Sequence, residues 1–400
     1  MGIYEQFGVT PIINASGSVT RLGGAPMPDE VLNAFNEAAR VSVPLEQLQA
    51  AASGVIAEAT GTEAGLVSAG AASALTMGTA AILTGYDLGR IEQLPHCDEF
   101  PNEIIIAREQ RSGYDHAVRA AGARLVEVGF NEIVANAGVR RTEAWEYEAA
   151  FGPNTAGVLY VYSPTSRPPL EEVVDVAHRH QLPVLVDAAG ELPPRSNLKS
   201  IAARGADLVA FSGGKSIRGP QSTGILCGRR DLIGSAVAQL LDMDDHLELW
   251  DPPASLIDRA KLRGIPRHGI GRGFKVSKEE IIALLVALQL FTSGAYDEEV
   301  SKARARLNRI VEKLTDVPAQ CSLRDKEDGE SLPLLELAIN ETAAGRGAME
   351  ICQSLRNGVP PIYVSHGGLA EGKLLINPLH LNDSNTETLA ERIRQELEQG

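Results

Sequence analysis

Between residues 64 and 228 the chain alternates short apolar runs with stretches of helical period, and that alternation leaves few folds open. The runs include GLVS, EIIIARE (103–109), RLVEVG (124–129), TAGVLYVYSP (155–164) and PVLVDAAG (183–190). SIAARGADLVAFSGG (200–214) reads as a helix and then a strand, and TGILCG (223–228) is one more strand. HAVRAAGA and LEEVVDVAHRHQL (170–182) lie between them as helices. Short apolar runs closed by turn residues predict strands buried on both faces. Strands separated by helices of this length predict a mostly parallel sheet covered by helices. The expected class is α/β.

After Trp250 the pattern changes. DPPASLIDRAKLRGIPRHGIGRG is rich in Pro, Gly and Arg and reads as a connection. KEEIIALLVALQLF (278–291) and YDEEVSKARARLNRIVEKL (296–314) read as long helices. LPLLELAI (332–339) and GKLLINP (372–378) hold short strands. The chain closes on an amphipathic helix with Leu389, Ile393 and Leu397 on one face. Four hundred residues exceed one compact core. The expected division is an arm or small-domain part at 1–45, a large domain at 46–265 and a smaller α+β domain at 266–400.

The net charge of −15 argues against a nucleic-acid or anionic-membrane partner, which wants a basic face. The four cysteines show no CxxC spacing, so neither a metal site nor a disulfide framework is expected. MGIYEQFGVTPIIN carries no basic stretch followed by an apolar one, which makes the cytoplasm the expected compartment. Ala64 to Tyr86 is 23 residues without a charge, long enough to span a bilayer. It is built of Ala, Gly, Ser and Thr, and reads as buried helix instead.

The sharpest chemical signal is PVLVDAAGEL followed by GADLVAFSGGKSIRGPQSTGILCG. Asp187 ends one strand, and Lys215 follows the end of the next, 28 residues on. One strand–helix–strand step sets an acid beside an amine at the carboxyl edge of the sheet, where ligands bind. Pyridoxal phosphate needs such a pair: the lysine holds the aldehyde, and the carboxylate keeps the pyridine nitrogen protonated. Ser212 is placed to donate to the cofactor phosphate. GGKS also suggests a nucleotide-binding P-loop, but that motif needs Gly where Val209 stands.

Two further stretches belong to the same reading. In SAGAASALTMG a strand meets Gly70, Ala71, Ala72 and Ser73, small residues that let backbone N–H groups approach an anion at a helix start. In REQRSGYDHAVRAAGA, Tyr114 and His116 are candidates to lie over a flat ring. Ser163, after GVLYVY, is a candidate contact for the cofactor hydroxyl.

Taken together, INASGSVTRLGG, TGTEAGLVSAGAASAL, YDHAVRAAGARLVEVG, LVDAAGEL, SGGKSIRGPQSTG and GRGFKVSKEE are similar to the fold-type-I pyridoxal-phosphate enzymes. The branch resembled is that of L-seryl-tRNA(Sec) selenium transferase, and within it the small-molecule lyases of the D-glucosaminate-6-phosphate ammonia lyase type. The resemblance implies an aspartate-aminotransferase-like fold with Lys215 as the Schiff-base lysine and Asp187 as the pyridine-nitrogen partner. It puts Gly70, Ala71 and Ser212 at phosphate positions and Ala189 under the ring. It turns Arg218 to the substrate, folds Thr20 and Arg21 over the cleft, and makes Arg272 and Lys275 anion contacts from a neighbouring subunit.

No counterpart of the aminotransferase carboxylate arginine stands in a recognisable motif, which favours a lyase over an aminotransferase. The implied reaction is loss of a β-hydroxyl from a β-hydroxy amino acid or 2-amino-2-deoxy sugar acid, giving a 2-oxo acid and ammonia. The alternatives are a racemase or epimerase, an aldolase, a selenium transferase or a non-catalytic cofactor-binding protein. The partners implied are a small amino acid or amino-sugar acid and further copies of the chain, as a homodimer or larger.

Overall fold

The computed structural model describes residues 2–130, 141–241 and 245–398. They form two compact units, Met27–Thr292 and a smaller one made of Met1–Pro26 with Ser293–Gly400. Strands are numbered along the chain, and β1 (Ile13–Ala15) belongs to the smaller unit.

The larger unit is built on seven strands: β2 (Ala64–Ser68), β3 (Glu103–Ala107), β4 (Arg124–Val128), β5 (Thr155–Val161), β6 (Val184–Asp187), β7 (Leu208–Ser212) and β8 (Gly224–Gly228). Their order is β2-β8-β7-β6-β5-β3-β4. β8 runs antiparallel to both neighbours, and every other pairing is parallel. Ile104, Ile105, Ile106, Leu159, Leu185, Val186, Leu208 and Phe211 are each at most 2% exposed. That is why these strands read as continuous apolar runs rather than as alternation. Each such side chain contributes about 1.5–3 kcal/mol by leaving water. β4, at the edge, instead exposes Arg124 and Glu127, charges that discourage pairing with another chain.

The charge-free stretch is a strand and a helix, β2 and then Gly70–Thr84. Its small residues have a packing reason. A Cβ on Gly78 would lie 3.1–3.3 Å from the Leu185, Leu208 and Leu226 side chains, so the helix rests directly on the middle of the sheet. Bulkier residues would push it off. Among the described residues no single helix is long and apolar enough to cross a membrane.

In the smaller unit, β9 (Ala319–Arg324), β10 (Leu334–Ile339) and β12 (Lys373–Ile376) form an antiparallel sheet in the order β12-β10-β9. β1 pairs in parallel with β11 (Ile362–Val364), Ile13 opposite Ile362. Helices Asp297–Lys313, Ala348–Asn357 and Asp383–Glu398 share a core of Leu307, Ile310, Leu337, Ile351, Leu389 and Ile393.

The expected and observed divisions of the chain differ by one helix at each join. Asp29–Ala39 and Lys278–Ser293 fall almost wholly in the larger unit. Leu284 of the second packs against the loop that carries Lys215: a Cβ on Gly213 or Gly219 would come within 2.6 or 2.9 Å of it.

Candidate active site

The register of the sheet assembles the site before any side chain is considered. Val161 of β5 sits beside Asp187 of β6, and Asp187 beside Ala210 of β7. Ser212 lies beside Gly224 of β8, and Gly224 beside Ser68 of β2. The carboxyl ends of β2, β7, β6 and β5 therefore meet the start of β8 along one edge. Lys215 rises from that edge three residues past the end of β7.

The lysine loop is held by its own backbone. Gly213 N–H donates to Thr223 O (2.9 Å), Gly219 N–H to Gly213 O (2.9 Å) and Arg218 N–H to Lys215 O (3.0 Å). Glycine is required at 214, where a Cβ would lie 2.4 Å from Gln221 Cα. Arg218 has φ 64°, the left-handed region that costs an L-residue roughly 1–2 kcal/mol. Such outliers persist where the surroundings over-determine them, and they gather at functional sites.

Asp187 accepts one backbone hydrogen bond, from Ala189 N–H at 3.0 Å, which fixes the carboxylate plane. Burial pushes its carboxyl above the usual range, against the opposing pull of that N–H and of the Lys215 charge. Asp187 thus stands one strand over from the β7 end that leads into Lys215.

The helix start at Gly70 is open. Ala69 makes no side-chain cap, so the N–H groups of the first turn lack the usual partner. Gly70 has φ 87°, and the chain passes so close that a Cβ on Gly224 would lie 2.4 Å from Gly70 C and 2.6 Å from Ala71 N. Ser73 Oγ is buried and has no hydrogen-bond partner. In the sequence Ser73 stands out only as a small residue, and its hydroxyl, three residues past Gly70, is the signal that marks it for the site. An uncapped helix start, an orphaned hydroxyl, and a half-buried acid one strand from the lysine loop fit a ring that carries a phosphate at one end and a basic nitrogen at the other.

The remaining candidates fall in different places. Ser163 lies just past β5, its Oγ 3.0 Å from Ser166 Oγ. Tyr114 and His116 lie in the turn and helix after β3, both exposed, with His116 Nδ1 3.2 Å from Arg119. Arg272 and Lys275 line a separate, mostly apolar cleft of about 760 Å³, between the Leu45–Thr60 and Arg230–Leu240 helices. Thr20 and Arg21 belong to the smaller unit, where the Arg21 guanidinium lies 5.5 Å from the Tyr363 ring centre. Among the described residues no cluster of His, Cys, Asp or Glu is arranged to hold a metal.

The family model described as L-seryl-tRNA selenium transferase matches residues 115–243, which include both Asp187 and Lys215. A 5'-C-glycyluridine monooxygenase-decarboxylase of Streptomyces sp is 31% identical, over 98% of this chain and 92% of its own. The chain belongs to the selenium-transferase branch of the fold-type-I pyridoxal-phosphate enzymes. Within that family, the D-glucosaminate-6-phosphate ammonia lyase of Salmonella typhimurium (strain 14028s / SGSC 2262) is 26% identical over 98% of this chain and 97% of its own. A solved structure of D-glucosaminate-6-phosphate ammonia-lyase superposes with TM-score 0.81, covering 100% of this chain and 98% of the other, at 26% identity. The expected fold class and family therefore hold over the full length of the chain.

Proposed function

We propose that this protein is a pyridoxal-phosphate-dependent ammonia lyase acting on a β-hydroxy amino acid or a 2-amino-2-deoxy sugar acid. The observation that carries the reading is the half-buried Asp187, one strand over from the loop of Lys215, in a chain that superposes on an ammonia lyase throughout. When bound, the cofactor supplies an electron sink that stabilises negative charge at the substrate Cα.

The chain's own groups divide the remaining work. The N–H groups of Gly70, Ala71 and Ala72, with Ser212 and Ser73, hold the phosphate. Asp187 keeps a proton on the pyridine nitrogen, and Ala189 both supports the ring and orients Asp187. Tyr114 and His116 cover the other face, and Ser163 meets the ring hydroxyl. Lys215 Nζ takes the proton from Cα and delivers it to the departing β-hydroxyl. The Cα–H and Cβ–O bonds break, water leaves, and the released enamine is hydrolysed to a 2-oxo acid and ammonia. No oxidant is consumed. Arg218, Thr20 and Arg21 hold the substrate's polar groups together with Arg272 and Lys275, the last two from a second subunit of a homodimer or larger assembly. The charge of −15 supports a small-molecule substrate rather than a nucleic acid, and four free cysteines, three of them buried, suit the cytoplasm.

The test is a screen of the cofactor-loaded protein against D- and L-amino acids and 2-amino-2-deoxy sugar acids, scoring ammonia and 2-oxo acid. Label from deuterium oxide should enter the product at the former Cβ. Recovered substrate labelled at an inverted Cα, without ammonia, would make the protein a racemase. The Streptomyces relative favours a second reading, decarboxylation with O₂ as oxidant, and oxygen uptake with CO₂ release would select it.

A further inference from the structure

Every residue from Gly2 to Pro11 is exposed, yet the segment is held in a definite shape. Ile3–Gln6 forms one helical turn, with Gly2 N–H donating to Glu5 Oε2 (2.7 Å). Gly8, at φ 75°, turns the chain back so that Val9 N–H donates to Tyr4 O (3.0 Å). At the base, Ile13 N–H donates to Pro361 O (2.9 Å), where β1 meets β11. The result is an ordered hook carrying Ile3, Tyr4, Phe7 and Val9, each 55–79% exposed. Glu5 is its one charged side chain. A covered aromatic side chain removes about 150–250 Å² from water, so the four residues together offer on the order of 500 Å². Exposed apolar surface of that extent marks an interaction site.

The larger unit offers a complementary surface. The cleft of about 760 Å³ is walled by Leu45, Val237, Leu240, Leu241, Val276 and Ile281. Its carboxylates are answered within the chain. Glu46 accepts from Trp250 Nε1 (3.0 Å), and Glu280 accepts from Ser277 N–H (3.1 Å). The first of these bonds sets exposed Leu249 near exposed Leu45, so the apolar walls continue onto the rim.

We propose that the Gly2–Pro11 hook of one copy seats in this cleft of a second copy, and that the exchange is reciprocal. Area favours the reciprocal form. A stable interface covers about 800 Å² on each partner. One hook in one cleft supplies roughly 500 Å² per partner. In a reciprocal pair each copy gives one hook and covers another, which about doubles that figure and meets the requirement. Reciprocal exchange also closes at two copies, whereas one-way seating continues into an open chain. Each copy carries a charge of −15, so a contact that joins two of them has to be largely apolar. A hook already ordered loses little freedom on seating. Arg272 and Lys275 line the same cleft, so the exchange brings a second chain to the two cations proposed to act across the subunit boundary. The contact itself does not depend on which reaction is catalysed.

The experiment uses the cofactor-loaded protein carrying both Phe7→Cys and Leu45→Cys, treated with a short bismaleimide and run on a denaturing gel. Both positions are exposed in the chain, so neither substitution removes a core residue. The four native cysteines are buried or half-buried, and wild type gives their background. The double variant should run as a covalent dimer, and each single variant as a monomer. A link formed within one chain, or no link, overturns the proposal. A ladder of higher species overturns the reciprocal exchange. The second readout is the rate at which maleimide labels Leu45→Cys. Adding Tyr4→Asp/Phe7→Asp should raise that rate at least tenfold by unseating the hook, and equal rates overturn the proposal. Neither readout uses turnover, so a protein that passes both but releases no ammonia overturns the lyase reading alone.

Discussion

Two aspartates lie at opposite ends of neighbouring strands, and the fold treats them differently. Asp207 precedes β7 and is 5% exposed. It accepts from His178 Nε2 (2.8 Å), Val184 N–H (2.8 Å) and Arg229 (3.0 Å), so that every side of the carboxylate is answered. Asp187 ends β6 with one backbone donor, the field of one lysine, and a carboxyl that burial holds above its ordinary range. A saturated acid ties strands together, whereas one left short of donors retains capacity for a group that is still to arrive. The same contrast runs along the two edges of the sheet, because the edge with Asp187 also holds an uncapped helix, an unpaired Ser73 hydroxyl and a left-handed Arg218.

The largest effect expected from breaking this contrast is at Lys215. Lys215→Ala should lose covalently held cofactor and turnover by on the order of 10³-fold or more, with the melting temperature nearly unchanged. Borohydride reduction followed by peptide mapping checks the assignment, and label on another lysine refutes it.

At Asp187 the expectation is split between activity and stability. Asp187→Asn should lower kcat by on the order of 10²-fold through loss of the charge facing the ring nitrogen. Without cofactor the variant should be at least as stable as wild type at neutral pH. The sign follows from the raised carboxyl: the folded state binds its proton more tightly than the unfolded state does. Its contribution to stability is then most favourable below the ordinary carboxylate range. It declines as pH rises from there through the raised folded value. Denaturant titrations of the cofactor-free protein between pH 4 and pH 8 should show that decline in wild type and not in Asp187→Asn.

Asp207→Ala should do the reverse. It strands the Val184 N–H and loses charge-assisted bonds, a destabilisation of about 2–3 kcal/mol. The kcat of the folded fraction should stay within about threefold of wild type, as expected of a group remote from the reacting atoms. If Asp207→Ala impairs turnover as deeply as Asp187→Asn, the two acids are not divided as described.

The smallest effect is at Arg218. Arg218→Gly should release about 1 kcal/mol of left-handed strain while removing the proposed substrate contact. Melting temperature should rise or hold as KM rises. A fall in both would show that the left-handed turn is held for the fold alone.

Much of this molecule was legible in its residues. Apolar runs found seven strands of the larger unit because strands buried on both faces have no polar side to interrupt them. The spacing from Asp187 to Lys215 found the acid–amine pair because one parallel crossover has a nearly constant length. β1 and β11 were missed: each is three residues long, and they pair across 349 positions (Ile13 with Ile362), a separation no local pattern records. β9 was missed because its residues alternate between partial burial and exposure, without an apolar run. The direction of β8 was also hidden, since TGILCG reads the same either way. The cleft walled by Leu45, Val237 and Ile281 carried no motif, since three separate helices supply those residues.

Composition and period by themselves determined the α/β class and the one-strand spacing of Asp187 and Lys215, because each depends on local pattern or on a fixed step between adjacent strands; the family followed from the resemblance of its motifs. Only the tertiary structure decided which buried polar groups are answered and which are left waiting. Asp187 ends one strand of the sheet and Asp207 precedes the next, and they differ in how many donors the fold brings to them. Hydrogen-bond saturation is a property of the folded neighbourhood, and it separates the acid that holds the sheet from the acid proposed to meet the cofactor.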